Sequence, residues 1–447
     1  MSRTAKFISG CLLAWLIIWP FQAQAQTQTQ TDIDQKLAQA IDQEIEKNRA
    51  EMIKVRRFLH MNPELGNREF ETSKLVASKL TSLGLEVKTG VAGTGVVGLL
   101  RGALSGPTVA IRADLDALPI QELNTFPYRS LNPGVMHACG HDFHTTIALG
   151  TAAVLSKMKD RIRGNVKFIF QPAEEGLPAG QEGGAALMIK EGVLDNPAVR
   201  AIFALHVWPE LKVGEAGYAA GYLMASSDNF VITIEGKSAH AARPQEGIDA
   251  VVLAAEVITN LQTIVSRAID PTEPAVITIG KIQGGTKANI IAEKVEMEGT
   301  VRTLNDKVRD RMPVLMENII RGVTGSYGAS YSFKYEKGTP PVYNHPDLVQ
   351  AMVPVLENAL GPGQVIPVRP QMVAEDFALL AERVPAFMYL LGVRSPGQAS
   401  AAPLHSPYFN PDERAIPVGI KAMCHLVLSA LEQQASLKGT DRAAAIK

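Results

Sequence analysis

Cysteine is nearly absent from this chain. Three residues in 447, Cys11, Cys139 and Cys424, are too few for a disulfide framework. Charge excess of either sign is missing too: 44 Lys and Arg face 45 Asp and Glu, with no long single-sign run. That balance excludes nucleic-acid binding through a strongly basic surface. At 46% apolar and 20% charged, the chain is far from the composition of a disordered protein. At roughly 150 residues per domain, two or three domains with buried cores are expected.

Long apolar runs are scarce as well, and none beyond the N-terminus is expected to cross a bilayer. At that terminus Arg3 and Lys6 precede an apolar run from Phe7 to Trp19, then Pro20 and Ala23-Gln24-Ala25. A basic start, an apolar stretch and a small-x-small site read as a signal peptide over residues 1–25. The protein is therefore expected to be exported, periplasmic or secreted. The lipoprotein-like box Ile8-Ser9-Gly10-Cys11 fits less well, because most of the apolar run follows Cys11. Removing residues 1–25 leaves two cysteines in an oxidising compartment, where a free thiol is a liability unless buried or bound. Residues 26–31, a Gln/Thr repeat, read as a flexible spacer.

Strand-like runs at 96–101, 108–112, 165–170 and 201–205 alternate with helical spacing at 72–83, 144–157 and 184–190, after a helix near 33–60. This predicts an α/β sheet with helices on both faces. After about Gly221 the order becomes strand-helix-strand-strand-helix-strand, the ferredoxin-like split unit. Helix/strand alternation then resumes after Pro340-Pro341. The expected organisation is a signal peptide (1–25) and a catalytic α/β domain in two parts (26–221 and 338–447). Between those parts lies an inserted ferredoxin-like α+β domain (222–337).

Ionisable residues collect where strands should end, the edge at which open α/β sheets bind ligands. Asp114 and Asp116 follow one strand, Glu174-Glu175 another, and His206 a third. Asp116 reads as a solvated loop charge. Cys139-Gly140-His141 offers a thiolate and an imidazole before a helix, which suits zinc or a similar metal, although two ligands do not make a site. Glu174-Glu175 either form surface ion pairs or face a cation. In the second case one carboxylate binds it and the other is free as a general base for water.

Nine motifs in order along the mature chain carry a resemblance. Among them are His60-Met61-Asn62-Pro63-Glu64, Arg112-Ala113-Asp114-Leu115-Asp116, His137-Ala138-Cys139-Gly140-His141-Asp142 and Gln171-Pro172-Ala173-Glu174-Glu175-Gly176. Others are Ser238-Ala239-His240, Gly284-Gly285-Thr286-Lys287-Ala288-Asn289, Gly299-Thr300-Val301-Arg302, Ala374-Glu375-Asp376-Phe377 and Leu404-His405-Ser406-Pro407. Together the sequence resembles the co-catalytic metallopeptidases that include aminoacylases and glutamate carboxypeptidases. Within them it is most similar to the branch of hippurate hydrolases and auxin-amino-acid conjugate hydrolases.

The resemblance implies two divalent metal ions per subunit, zinc or else manganese, cobalt or nickel. Their ligands would be Cys139, His141, Glu175, His206 and His405, with Glu174 as general acid/base. Asp114 would orient a ligand by hydrogen bonding. The wider family has a His-x-Asp ligand motif where this chain has Arg112-Ala113-Asp114. The inserted domain would be a lid that also forms a homodimer. Its His240, Asn289 and Arg302 would grip the substrate carboxylate or the developing oxyanion, the histidine acting on the neighbouring subunit's site.

The implied reaction is hydrolysis of the amide bond in an N-acyl-amino acid or a short peptide with a free carboxylate. A dipeptidase or carboxypeptidase of the same fold is the alternative, and an amidase with Cys139 as nucleophile is a further one. The partner is thus a small molecule, with no nucleic acid and no membrane span after signal removal. Phe143 and the loop 176–184 depart from the branch and are expected to border the site.

Overall fold

The computed structural model describes residues 15–177 and 180–436, with side chains described between residues 35 and 433. The expected signal peptide lies outside the described residues up to position 14. The first part of the chain forms α1 (Trp15–Met61), α2 (Phe70–Ser82), β1 (Glu86–Val91), β2 (Gly95–Arg101), β3 (Leu104–Asp114), α3 (His141–Ser156), β4 (Arg163–Gln171), α4 (Gly184–Lys190), β5 (Val199–Lys212), β6 (Ala216–Tyr218) and β7 (Gly221–Met224). There follow β8 (Ser227–Glu235), α5 (Ala250–Thr263), β9 (Ala275–Gly284), β10 (Lys294–Thr303), α6 (Asp306–Ser326) and β11 (Ser330–Thr339). The chain closes with β12 (Val342–Asn344), α7 (Pro346–Leu360), β13 (Val365–Pro367), α8 (Phe377–Ala381), β14 (Ala386–Arg394) and α9 (Ala415–Ser436). The Gln/Thr repeat lies within α1 and is not a spacer; glutamine is a good helix former.

The large sheet has eight strands in the order β1-β2-β4-β3-β5-β14-β6-β13. Its centre, β4-β3-β5-β14, is parallel. Parallel strands covered on both faces read as continuous apolar runs, as Ala201–Leu205 does and as Val109–Ile111 does up to the buried Arg112. One face packs under α1, α3, α7 and α9. The other carries α4 and α8. Helix α3 is built of small residues so that it can lie close to α9: a Cβ on Gly150 would stand 2.3 Å from Ile420 Cδ1. Both halves of the chain contribute to this one sheet, since β13 and β14 join strands from the first half.

The smaller sheet is antiparallel, in the order β11-β8-β10-β9, with α5 and α6 packed on one face over Phe230, Ile232, Val295 and Met297. This is the split ferredoxin-like arrangement. The fold is therefore an α/β sheet interrupted by an α+β lid, as the sequence implied. Two helices, Ala250–Ala268 and Ala415–Gln433, are long and apolar enough to cross a membrane by length and composition, contrary to expectation. The second is 61% buried within the protein, because it is the central helix of the core.

Candidate metal centre

The parallel strands deliver their C-terminal ends to one place. Asp114 closes β3, Glu174 and Glu175 follow β4, and the chain after β14 returns His405 to the same edge. His206 lies inside β5, not at its end, because β5 runs on beside β14 to Lys212. Helix α3 starts at His141, three residues earlier than its apolar spacing suggests. Gly140 precedes it at φ 90°, where a Cβ would stand 2.3 Å from Val207 Cγ2. That glycine turns Cys139 and His141 toward the strand ends.

The five expected ligands converge. Cys139 Sγ lies 3.3 Å from His206 Nε2 and 3.3 Å from His405 Nε2. Glu175 Oε1 lies 3.4 Å from His405 Nε2 and 3.7 Å from His141 Nε2. Cys139, His141 and His206 form one donor triad, and Cys139, Glu175 and His405 form a second. Glu174 Oε2 stands 3.9 Å from His141 Nε2, and its other oxygen accepts from the Asp376 N–H at 3.4 Å.

Hydrogen bonds behind these residues fix which nitrogen faces inward. His206 Nδ1–H donates to the Val207 carbonyl at 2.8 Å, leaving Nε2 to the cluster. His141 Nδ1–H donates to Asp116 Oδ1 at 3.2 Å. Asp116 Oδ2 accepts the Glu175 N–H at 2.9 Å. Asp116 is buried and holds two expected ligands, so it is not the solvated loop charge its position suggested. Asp114 takes Arg112 Nη1 at 2.6 Å and His144 Nδ1 at 2.7 Å, while the Val207 N–H donates to His144 Nε2. Asp114 thus steadies the β5 edge through His144, a residue the sequence left without a role. Arg112 also binds Glu375 and Asp376 at 2.8 and 2.9 Å, filling that acidic group with a built-in cation.

Cations fit the remaining donors. His141 Nε2 and Glu175 Oε1 are buried without a hydrogen-bond partner, a costly state that a bound cation relieves. Burial pushes Cys139 well above the ordinary thiol range, with Glu175 adding to it. Burial likewise holds His206 neutral, at about 3. Burial would also lower His141, but Asp114 and then Asp116 outweigh it and carry it up to about 10. A thiol held protonated is a poor nucleophile and a ready ligand for a metal that displaces its proton. This favours Cys139 as a ligand over Cys139 as a nucleophile.

A cavity of about 690 Å³ opens onto the cluster. Trp208, Met224, Met372 and Leu404 give it an apolar side, and Arg302, Asn229 and Ser227 of the lid a polar one. Arg302 is half-buried, and no carboxylate pairs with it among the described residues. His240 and Asn289 are not brought to the cavity. Both are exposed on the lid, where the Ala241 N–H bonds to the Asn289 carbonyl. Phe143 does not border the site either, because it is buried beneath the Arg56 guanidinium, 4.8 Å from its ring centre.

Residues 110–429 match the model of peptidase family M20/M25/M40. The chain belongs to this family. An M20/M25/M40 member with these donor clusters is a metal-dependent hydrolase of amide bonds. The chain is 44% identical to the N-acyl-L-amino acid amidohydrolase of Geobacillus stearothermophilus, over 67% of its own length and 80% of that protein. It is 39% identical to an IAA-amino acid hydrolase (ILR1-like 4) of Arabidopsis thaliana, over 82% and 83% of the two chains. Its fold is similar to that of the Bacillus subtilis YXEP protein, described as a dinuclear metal binding peptidase from the M20 family. That likeness has a TM-score of 0.74 and 36% identity over 87% and 99% of the two chains.

Proposed function

We propose that the protein is an exported amidohydrolase of N-acyl-amino acids or short peptides with a free carboxylate. It uses two divalent cations held by Cys139, His141, Glu175, His206 and His405. The observation that carries this reading is the pair of donor triads sharing Cys139, set beside Glu174 in a cavity whose far wall holds the unpaired Arg302. Divalent cations at such a site supply Lewis acidity, lowering the pKa of water and polarising a carbonyl.

Arg302 pairs with the substrate carboxylate, where a guanidinium offers two parallel donors. The apolar wall takes the acyl group and keeps bulk water away from the scissile bond. Glu174 takes the proton of the attacking water and passes it to the leaving amine. Burial, with Glu375 and Glu175, raises Glu174 well above the ordinary carboxyl range; bound cations beside it would lower it again and leave a carboxylate able to accept the proton.

The exposed apolar Val251 and Val252 on α5 and the unpaired outer edge of β9 support a homodimer through the lid. His240 and Asn289, remote from their own cavity, would then serve the neighbouring one. The basic-apolar-small pattern of residues 1–25 supports export.

The test is a screen of N-acyl-amino acids and dipeptides against the protein before and after chelation, then after adding back zinc, manganese, cobalt or nickel. Turnover of acyl-amino acids is expected to vanish on chelation and return with metal. Turnover that survives complete metal removal would overturn the proposal, and preference for dipeptides would move the assignment to a dipeptidase.

A further inference from the structure

At the root of the lid lies a second buried charge cluster, away from the metal centre. Asp228, fully buried at the start of β8, accepts from Arg309 of α6 through Nε (3.1 and 3.0 Å to its two oxygens) and Nη2 (2.6 Å). The same carboxylate accepts from the Tyr335 hydroxyl at 2.8 Å and the Gly338 N–H at 3.1 Å. Arg309 Nη2 also donates to the Gly338 carbonyl at 2.8 Å. The chain enters the lid just before Asp228 and leaves it just after Gly338. One ion pair therefore fastens both crossings to each other and to α6.

Strand alternation connects this cluster to the cavity. Ser227 and Asn229, the neighbours of Asp228, point to the opposite face of the sheet and line the cavity wall. Directly across from Asp228 in register is Val301, the residue before Arg302. The backbone around Arg302 is bracketed twice. Thr300 Oγ1 donates to the Asp228 carbonyl at 2.9 Å, and the Thr303 N–H donates to Ser226 Oγ at 3.1 Å. Gly338 allows the strands this close, since a Cβ there would meet the Ser227 carbonyl oxygen at 2.3 Å.

We propose that Asp228 and Arg309 are positioning residues: their buried pair sets the lid root so that Arg302 faces the cavity at the height of the substrate carboxylate. The inference rests on the reading that Arg302 binds that carboxylate. The pair touches no substrate. It acts by holding the strand that does.

The experiment uses the full-length, metal-loaded protein and compares an N-acyl-amino acid with its carboxamide analogue. Arg309→Lys keeps the positive charge but cannot reach both Asp228 oxygens and the Gly338 carbonyl together. Tyr335→Phe removes one donor and leaves the ion pair, so folding is retained. Arg309→Lys is expected to lower the acid-over-amide preference about tenfold, chiefly through the KM of the acid. Tyr335→Phe should move it the same way by less. In an Arg302→Ala background, Arg309→Lys should cause no further loss of preference. Equal slowing of both substrates, or an unchanged preference where Arg302→Ala abolishes it, would overturn the positioning role. If Arg302→Ala itself leaves the preference intact, the carboxylate reading fails first and takes this one with it.

Discussion

One carboxylate, Asp116, orients two of the five proposed cation ligands, the His141 imidazole through one oxygen and the Glu175 backbone through the other. Replacing it with asparagine leaves the shape but weakens acceptance from His141 Nδ1. Asp116→Asn should therefore lower metal affinity by about 10–100-fold, measured by competition with a chelator, while the fold persists. Glu174 should behave in the opposite way. Glu174→Gln keeps every donor of both triads and removes the proton acceptor, so metal content should be unchanged while kcat falls by about 10²–10⁴-fold. The five proposed ligands were legible only through the resemblance carried by nine motifs in order; alone, Cys139-Gly140-His141 and Glu174-Glu175 left other readings open. Asp116 and His144 were not, because their roles depend on which side chain lies behind which, and that is decided by tertiary packing. The spacing of Asp114 and Asp116, two apart at a strand end, was the available signal that both turn to one side.

The turns that carry the ligands hold unusual backbone conformations: Gly140 at φ 90°, Ala173 at 52° and His405 at 63°. Two of these are not glycine, a strained state that surrounding contacts must enforce. For α3 the enforcing contact is buried charge. Arg56 of α1 lies 3.0 Å from Asp142 in the first turn of α3, His60 Nδ1 bonds the same carboxylate at 2.8 Å, and all three are fully or nearly fully buried. Burial pushes Asp142 up, but Arg56 and then His60 outweigh it and hold its carboxyl well below the usual range. A depressed folded-state pKa contributes stability above the unfolded carboxylate value, about 3.9, and that contribution fades as pH falls through the folded value. Arg56→Ala strands a buried carboxylate and should cost about 3–5 kcal/mol at neutral pH by urea denaturation. The gap from the unaltered protein should narrow as pH falls through the variant's Asp142 pKa, which lies above that of the unaltered protein once Arg56 is gone, because the unfolded chain titrates alike in both. Apolar spacing revealed α3 but not its start, since His141 and Asp142 look polar in sequence and are buried with partners, Asp116 and Arg56. The α/β alternation and the split unit of the lid were legible because strand and helix periods differ so clearly.

At the scale of the whole molecule, the cavity takes its proposed cation ligands and Arg302, proposed to bind a carboxylate, from different parts of the fold, while His240 and Asn289 of the lid lie outside it. The His240 imidazole makes one described hydrogen bond, accepting the Ala242 N–H at Nδ1, and lies exposed at the end of the lid away from Arg302. A lone subunit would leave that imidazole idle. In a two-fold dimer paired through the lids, His240 and Asn289 of one copy can approach the cavity of the other, so each site would be composite. Subunit mixing separates the two arrangements. Glu174→Gln and His240→Ala homodimers should each be nearly inactive. After the two are unfolded together, refolded and reloaded with metal, half of the dimers are mixed and each has one site with both residues intact. About a quarter of the unaltered activity should then return, as expected for random pairing of a symmetric dimer. Recovery near that level places His240 in the neighbouring site. No recovery, with mixed dimers verified by mass, would mean that His240 works within its own subunit and reaches the cavity only when the lid swings closed.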